Sequence, residues 1–222
     1  MKREFLITGD GSVTIHIPEW NEQYHSKHGA IAEAVHVFIK AGLTHWICEN
    51  DSKEVSILEI GFGTGLNAFL TSLESSKKDL QINYSGIEAY PISEEEIARL
   101  NYAAMLDASE ETFLKLHQVS WGSASQINRN FTLTKRKQFI SEIKDSDGYN
   151  IIYFDAFGAR VQPELWTEAV FKLMFDALKP KGVLVTYSAK GSVRRAMLAV
   201  GFVVERLPGP PGKREMLRAT KV

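Results

Sequence analysis

Three acidic residues and three glycines hold the chemistry open to this chain. Glu59 precedes Gly61, Gly63 and Gly65 in the run Glu59-Ile-Gly-Phe-Gly-Thr-Gly65, Glu88 closes the run 82–88, and Asp155 follows the apolar run 151–154. A glycine-rich turn between a strand and a helix lets backbone N–H groups and the helix N-terminus approach a nucleotide-like ligand. The spacing excludes the dinucleotide fingerprint, whose sixth-position glycine is replaced here by Leu66. An acid about 20 residues beyond such a turn is the usual clamp for ribose hydroxyls, because one carboxylate accepts from both. Glu88 stands at that place. Asp155 would face the same crevice, where a carboxylate can orient an amine and accept or relay its proton. With an ordinary pKa of about 3.9 it is a weak base, so orientation and relay are expected of it. The plain alternatives are a tight turn without ligand, a solvated strand-end acid and a helix cap.

Such residues need a parallel sheet to gather them on one edge. Strands are expected at 56–60, 82–88, 151–154 and 183–187, with helices at 66–74, 94–105, 164–178 and 193–200 between and after them. A less regular part spans 113–137, and 202–205 with 216–220 reads as a closing antiparallel pair. This alternation predicts an α/β fold: a doubly wound, mostly parallel sheet with an antiparallel last strand. Ligands in such sheets sit beyond the strand C-termini, near the switch in strand order. Ahead of it, Phe5-Leu-Ile-Thr8 and Ser12 to Ile17 flank an Asp10-Gly11 turn and predict a β-hairpin. Ile31, Val35, Phe38 and Ile39 then predict a helix over 29–43. Residues 1–45 are therefore expected as an N-terminal hairpin-and-helix addition, and 46–222 as the ligand-binding domain.

With 222 residues, 44% of them apolar, the chain can bury a full core. Its single cysteine, Cys48, excludes an intrachain disulfide and a cysteine-rich zinc site and fits a reducing cytoplasm. No apolar stretch at the N-terminus resembles a signal peptide and no run reaches membrane-spanning length, so a cytoplasmic location without a membrane partner is expected. His25-x-x-His28, with His36 and His45, lacks an acid or cysteine at ligand spacing, and no metal is expected. The formal charge is only −1, yet the charge is unevenly spread. From Lys190 onward eight basic residues (Lys190, Arg194, Arg195, Arg206, Lys213, Arg214, Arg218, Lys221) face two acids, Glu205 and Glu215. Arg129 and Lys135-Arg-Lys137 form a second basic cluster. One positive face is the footprint expected for a phosphate backbone, with a merely solvated surface as the alternative. Trp20, Tyr24, Trp121 and Trp166 could stack a base or simply pack.

The glycine turn resembles that of class I S-adenosylmethionine methyltransferases, with an acid two residues before the first of three alternate glycines. Further stretches, in order, resemble one family within that class: Glu59-Ile-Gly-Phe-Gly-Thr-Gly-Leu-Asn67, Asp155-Ala-Phe157, Pro163-Glu-Leu-Trp166, Leu184-Val-Thr-Tyr-Ser-Ala-Lys-Gly191 with Val193-Arg-Arg195, Gly201-Phe202 and Lys213-Arg-Glu-Met216. Asp10-Gly11-Ser and Tyr24-His-Ser26 with Gly29-Ala30 extend the match upstream. Together they are similar to the MnmC-type tRNA methyltransferase domain. The resemblance implies a Rossmann-like fold and methyl transfer from S-adenosylmethionine to the aminomethyl nitrogen of 5-aminomethyl-(2-thio)uridine at the tRNA wobble position. It implies a cofactor site at Glu59, Gly61, Phe62, Gly63, Thr64, Gly65 and Asn67, with Glu88 at the ribose and Asp155 at the transferred methyl. Ser188, Lys190, Gly191, Lys213 and Arg214 would border the target nucleotide, Phe157 or Trp166 would support its ring, and Arg194 and Arg195 would help hold the anticodon arm. Two departures stand out. Many members carry a fused flavin-dependent oxidase, whereas these residues show none, so the aminomethyl substrate is expected from another enzyme. The acid that usually contacts adenine after the third strand is replaced by Lys135-Arg-Lys-Gln138, leaving those contacts unassigned. A small-amine or other RNA N-methyltransferase, and a non-catalytic S-adenosylmethionine- or RNA-binding module, are the alternatives.

Overall fold

Strands that read as continuous apolar runs are those covered on both faces. In β4 (Glu54–Ile60) the side chains of Val55, Ile57, Leu58 and Ile60 are all buried. Successive residues feed opposite layers, as a side-chain period of two requires: Ile57 joins one core with Phe69 and Phe38, while Leu58 joins the other with Phe171 and Val193. The computed structural model describes residues 2–222. It opens with an antiparallel sheet of β1 (Glu4–Ile7), β2 (Val13–Ile17) and β3 (Glu22–Gln23). A long helical run follows: α1 (Ala30–Ala34), a π-helical segment Val35–Thr44 and α2 (His45–Glu49). After β4 come α3 (Leu66–Lys78), β5 (Gln81–Glu88), α4 (Glu94–Ile97), α5 (Tyr102–Met105) and α6 (Glu110–Gln118). The chain continues through β6 (Ala124–Asn128), β7 (Phe131–Lys137), β8 (Tyr149–Phe154), α7 (Glu168–Ala177) and β9 (Leu178–Thr186). It ends with α8 (Gly191–Ala199), β10 (Val203–Pro208) and β11 (Glu215–Thr220).

The eight-stranded sheet has the order β10-β11-β9-β8-β4-β5-β7-β6. β4, β5, β7, β8 and β9 run parallel, while β11 and β10 at one edge and β6 at the other are antiparallel to their neighbours. Strand order reverses at β4, which has β5 on one side and β8 on the other. That reversal opens the crevice expected of a doubly wound sheet. The mostly parallel sheet, the antiparallel closing pair and the N-terminal hairpin agree with the sequence-based expectation.

Three elements differ from it. The helix predicted over 94–105 is broken into α4 and α5, because Asn101 between them turns its side chain to the N-terminal hairpin. Asn101 Oδ1 accepts from the Val13 N–H (2.8 Å), and its Nδ2 donates to the Gly11 carbonyl (3.0 Å). The irregular stretch 113–137 resolves into most of α6 and an antiparallel β6–β7 edge. β9 starts earlier than predicted and carries Pro180-Lys-Gly182 through a register shift against β8.

The π-helical segment lies against β8, β9, β11 and α3. Its wider turns are visible where the His45 N–H reaches back to the Lys40 carbonyl. Gly42 lets this segment approach the sheet. A Cβ there would lie 3.0 Å from Val185 Cγ2 and 3.1 Å from Tyr153 Cε1. Gly42→Leu is therefore expected to overpack the layer and cost about 1–3 kcal/mol, read as a lower midpoint in thermal denaturation; an unchanged midpoint would show that the layer yields.

Candidate cofactor and catalytic site

The glycine turn is built by the protein's own crowding. Gly61 has φ +88°, and a Cβ on it would lie 2.6 Å from the Asp155 carbonyl oxygen. A Cβ on Gly63 (φ +50°) would lie 3.3 Å from the Tyr24 ring, and one on Gly65 (φ +74°) 3.0 Å from His117 Nε2. Each therefore needs both a left-handed backbone and a missing side chain. The turn is tied to β5, since the Gly61 and Phe62 N–H groups both donate to the Ile87 carbonyl (3.0 and 2.9 Å). Gly63 N–H donates to Glu88 Oε2 and Tyr90 N–H to Glu88 Oε1, each at 2.9 Å. Glu88 is thus held at the strand end with lone pairs left on both oxygens.

A cavity of about 750 Å³ runs along the C-terminal edge of the parallel strands. Gly61, Phe62, Gly63, Thr64, Asn67, Glu88, Asp155, Phe157 and Lys213 all line it. Glu59 lies one layer below, buried, and meets the cavity through Asn67. Asn67 Nδ2 donates to Glu59 Oε1 and to Asp155 Oδ2, 2.9 Å in each case. Burial pushes the Glu59 carboxyl well above its usual range, against the Asn67 hydrogen bond, with the Asp155 charge adding to the rise. Burial likewise pushes Asp155 up to about 7; Glu33 adds to the shift, while the Asn67 hydrogen bond and Lys213 oppose it. Its proton affinity therefore lies well above that of the ordinary aspartate assumed from the sequence.

The remaining expected residues divide by position. Gly65 turns away from the cavity toward α6. Trp166 is core: it packs on Phe154 and Phe171, and its Nε1 donates to the Phe157 carbonyl at 2.8 Å. Its effect on the cavity passes through Phe157, whose ring meets Trp20 and Tyr24 edge to face at 5.4 and 5.0 Å. Ser188 is buried just beyond the β9 end, while Lys190, Gly191 and Arg195 are exposed beside it and Arg194 is half-buried. Arg214 is exposed next to Lys213. The second basic cluster is halved by the fold, with Arg129 and Lys137 left exposed. Lys135 points inward, donates to the His117 carbonyl and is pushed down to about 8 by burial, and Arg136 pairs with Asp145 at 2.8 Å. Four of the eight C-terminal basic residues are also engaged: Lys213 with Glu33, Arg218 with Glu205, Lys221 with Asp147, and, at 3.8 Å, Arg206 with Glu215. Lys190, Arg194, Arg195 and Arg214 make no ion pair among the described residues.

Sequence reasoning missed several cavity residues. Gln138, Phe139 and Ile140 follow β7, which runs to Lys137, so the segment expected to meet adenine lies just after the basic triplet. Gln138 Nε2 is a buried donor without a partner, and the exposed rings of Tyr90 and Phe139 meet nearby with centroids 6.0 Å apart. His25 joins the N-terminal sheet to the glycine turn: Nδ1 lies 3.0 Å from Thr14 Oγ1 and Nε2 3.4 Å from Thr64 Oγ1. Burial lowers its pKa to about 4, so the bridge is a neutral imidazole at physiological pH. Glu22, Glu33 and Tyr187 complete the Asp155 end. Only Glu33 left a trace in the sequence, as an acid between Ala30 and Val37 on an apolar helix face.

The cavity suits S-adenosylmethionine on three counts. Asn67 Oδ1, on the cavity wall, is a buried acceptor without a donor, at the end where a cationic amino acid moiety would lie, with Glu59 behind it on the Asn67 amide. Glu88 offers acceptors for ribose hydroxyls, and the unpaired Gln138 donor faces the aromatic end suited to a purine. Buried orphans of this kind are costly unless a ligand supplies their partners.

Comparison with known proteins agrees. The family described as S-adenosyl-L-methionine-dependent methyltransferase matches residues 99–222. The tRNA 5-methylaminomethyl-2-thiouridine biosynthesis bifunctional protein MnmC of Cupriavidus metallidurans is 30% identical over 96% of this chain, and that of Leptospira borgpetersenii is 29% identical over 89%. The chain spans about a third of the length of these curated relatives, 33% and 32% respectively. The crystal structure of MnmC2 from Aquifex aeolicus superposes with a TM-score of 0.78 at 26% identity, covering 98% of this chain and 69% of that one. Spermidine synthase from Thermotoga maritima shares the fold alone, with a TM-score of 0.56 at 12% identity over 100% of this chain and 72% of that one. The family match, which runs from α5 through β11, the glycine turn and the orphaned polar groups lead to one conclusion: this chain belongs to the S-adenosyl-L-methionine-dependent methyltransferases.

Proposed function

We propose that the chain methylates the aminomethyl nitrogen of 5-aminomethyl-(2-thio)uridine at the wobble position of tRNA. The observation that carries this reading is the Asp155 end of the cavity, where carboxylates stand among aromatic rings. Asp155, Glu22 and Glu33 supply negative charge for an amine, and Phe157, Tyr24 and Trp20 supply apolar walls for a base. The name of the MnmC relatives, which refers to 5-methylaminomethyl-2-thiouridine biosynthesis, supports the same substrate. S-adenosylmethionine supplies a methyl group on a sulfonium: the amine lone pair forms the new C–N bond, the C–S electrons stay with sulfur, and a proton leaves nitrogen.

In this reading Asp155 orients the amine and takes its proton, with Asn67 fixing the carboxylate by one hydrogen bond. Glu59 holds Asn67 in turn. Glu88 binds the ribose, and Gln138 with Phe139 and Tyr90 receives the adenine. Tyr24, packed over Gly63, excludes water from the reacting end. Lys190, Arg194, Arg195 and Arg214 flank the cavity through their neighbours Tyr187 and Lys213 and take the phosphates of the anticodon arm. Such contacts give binding a steep salt dependence.

Methyl transfer from labelled S-adenosylmethionine to tRNA carrying 5-aminomethyluridine, followed by nucleoside mass analysis, is expected to yield 5-methylaminomethyluridine. Bound cofactor without product would discard the tRNA substrate and direct the search to small amines. Asp155→Ala is expected to keep cofactor binding in calorimetry and lose turnover about 100-fold or more, whereas Gly63→Val loses cofactor binding; full turnover in Asp155→Ala would remove the proton-relay role. Arg195→Ala with Arg214→Ala should weaken tRNA binding and flatten its salt dependence by roughly one unit of slope per lost phosphate contact, with cofactor affinity unchanged. Unchanged tRNA binding would place the docking face elsewhere.

A further inference from the structure

Two charged groups far apart in the chain meet beside Asp155. Lys213, in the loop between β10 and β11, donates from Nζ to Glu33 Oε1 at 2.6 Å, across 180 residues of sequence. Glu33, in the first turn of α1, is buried, and its Oε2 accepts from the Ser26 N–H at 2.7 Å. The Lys213 ammonium also lies over the Tyr187 ring, 3.8 Å from its centroid. Lys213, Glu33, Tyr187 and Asp155 all line the cavity. The loop bearing Lys213 is seated on the N-terminal segment: His36 Nε2 bonds the Pro208 carbonyl at 2.8 Å, and Gly212 packs so closely on the His28 ring that a Cβ would overlap it.

We propose that Glu33 and Lys213 are a positioning pair for methyl transfer, in which the salt bridge clamps the β10–β11 loop onto α1 and sets two opposed charges beside the Asp155 carboxylate. The proposal rests on the reading of Asp155 as proton acceptor for an amine. A group that takes a proton at neutral pH works best when its own pKa is near 7. Burial is the largest influence raising Asp155, Glu33 pushes it further up, and the Asn67 hydrogen bond and Lys213 pull it back. Glu33 alone would shift Asp155 toward its protonated form, and Lys213 alone toward its ionised form. The opposed pair holds it between these limits. The other charged or titratable groups around it are Glu59 behind Asn67, Glu88 at the cofactor end, Glu22 held by Arg160, and Tyr187, whose hydroxyl donates to the Ala156 carbonyl. None of these opposes Glu33 as Lys213 does.

Carbon-13 titration of the aspartate side-chain carboxyls in the full chain, without substrate, reads this directly. The Asp155 resonance is the one absent from Asp155→Asn. Its midpoint is expected near 7 in the native chain, lower by about one pH unit in Glu33→Gln and higher by about one in Lys213→Met. Lys213→Arg, which restores the charge, returns it to the native value. Glu33→Gln keeps the shape of the side chain and an acceptor for the Ser26 N–H, so folding should survive, and thermal denaturation checks it. If either variant leaves the Asp155 midpoint unmoved, or both move it the same way, the pair is only structural and the proposal falls. The titration needs no methyl acceptor, so failure of the tRNA assay would overturn the substrate reading separately.

Discussion

One amide stands between two carboxylates at the C-terminal ends of adjacent parallel strands. Glu59 on β4 and Asp155 beyond β8 both turn toward Asn67, whose Nδ2 donates to each. Buried ionised carboxylates without partners are too costly to keep, so a shared donor and raised proton affinity are the solution the site adopts. The geometry depends on β4 and β8 being neighbours at the reversal in strand order, on α3 starting at Leu66, and on Gly61 allowing the Asp155 backbone to pass against the turn. Much of the central architecture can be understood as holding these three side chains in place.

Around that floor the two ends of the chain build the walls. The N-terminal sheet and the segment after it bring Tyr24 and His25 over the glycine turn and Glu33 to the Asp155 end, and the β10–β11 loop brings Lys213 from the other end of the chain. Asn101, between two short helices, fastens the hairpin by two hydrogen bonds. The neutral His25 bridge connects the same hairpin to Thr64. The N-terminal residues therefore act on the cofactor turn through a continuous chain of hydrogen bonds and packed rings.

The electrostatics separate along the cavity. Carboxylates concentrate at the end where the cofactor's reactive group and an amine would meet, while unpaired cationic side chains lie outside, on the surface beside α8 and the β10–β11 loop. Pairing within the fold removes part of the basic surface that the sequence suggests. Half of the C-terminal basic residues engage acids of their own chain, and Lys135 and Arg136 turn inward or pair. A count of charges thus overstates the surface available to a polyanion, because a count cannot see which charges neutralise one another.

The strand–turn–helix at the glycines, the strand ends bearing Glu88 and Asp155, and the alternation that builds a doubly wound sheet were all legible locally. Their signals are runs of apolar residues, left-handed turn positions and a change of period, each read within a few residues. Tertiary structure alone decided that Glu59 lies beneath Asn67, that Trp166 is core, that Gln138 lines the cavity with an unpaired amide, and that Glu33 meets Lys213. These depend on contacts between segments tens to hundreds of residues apart, and on burial, which raises the proton affinity of Asp155 above that of an ordinary aspartate. Residue identity sets what a side chain can do; only packing sets its neighbours and the dielectric in which it acts.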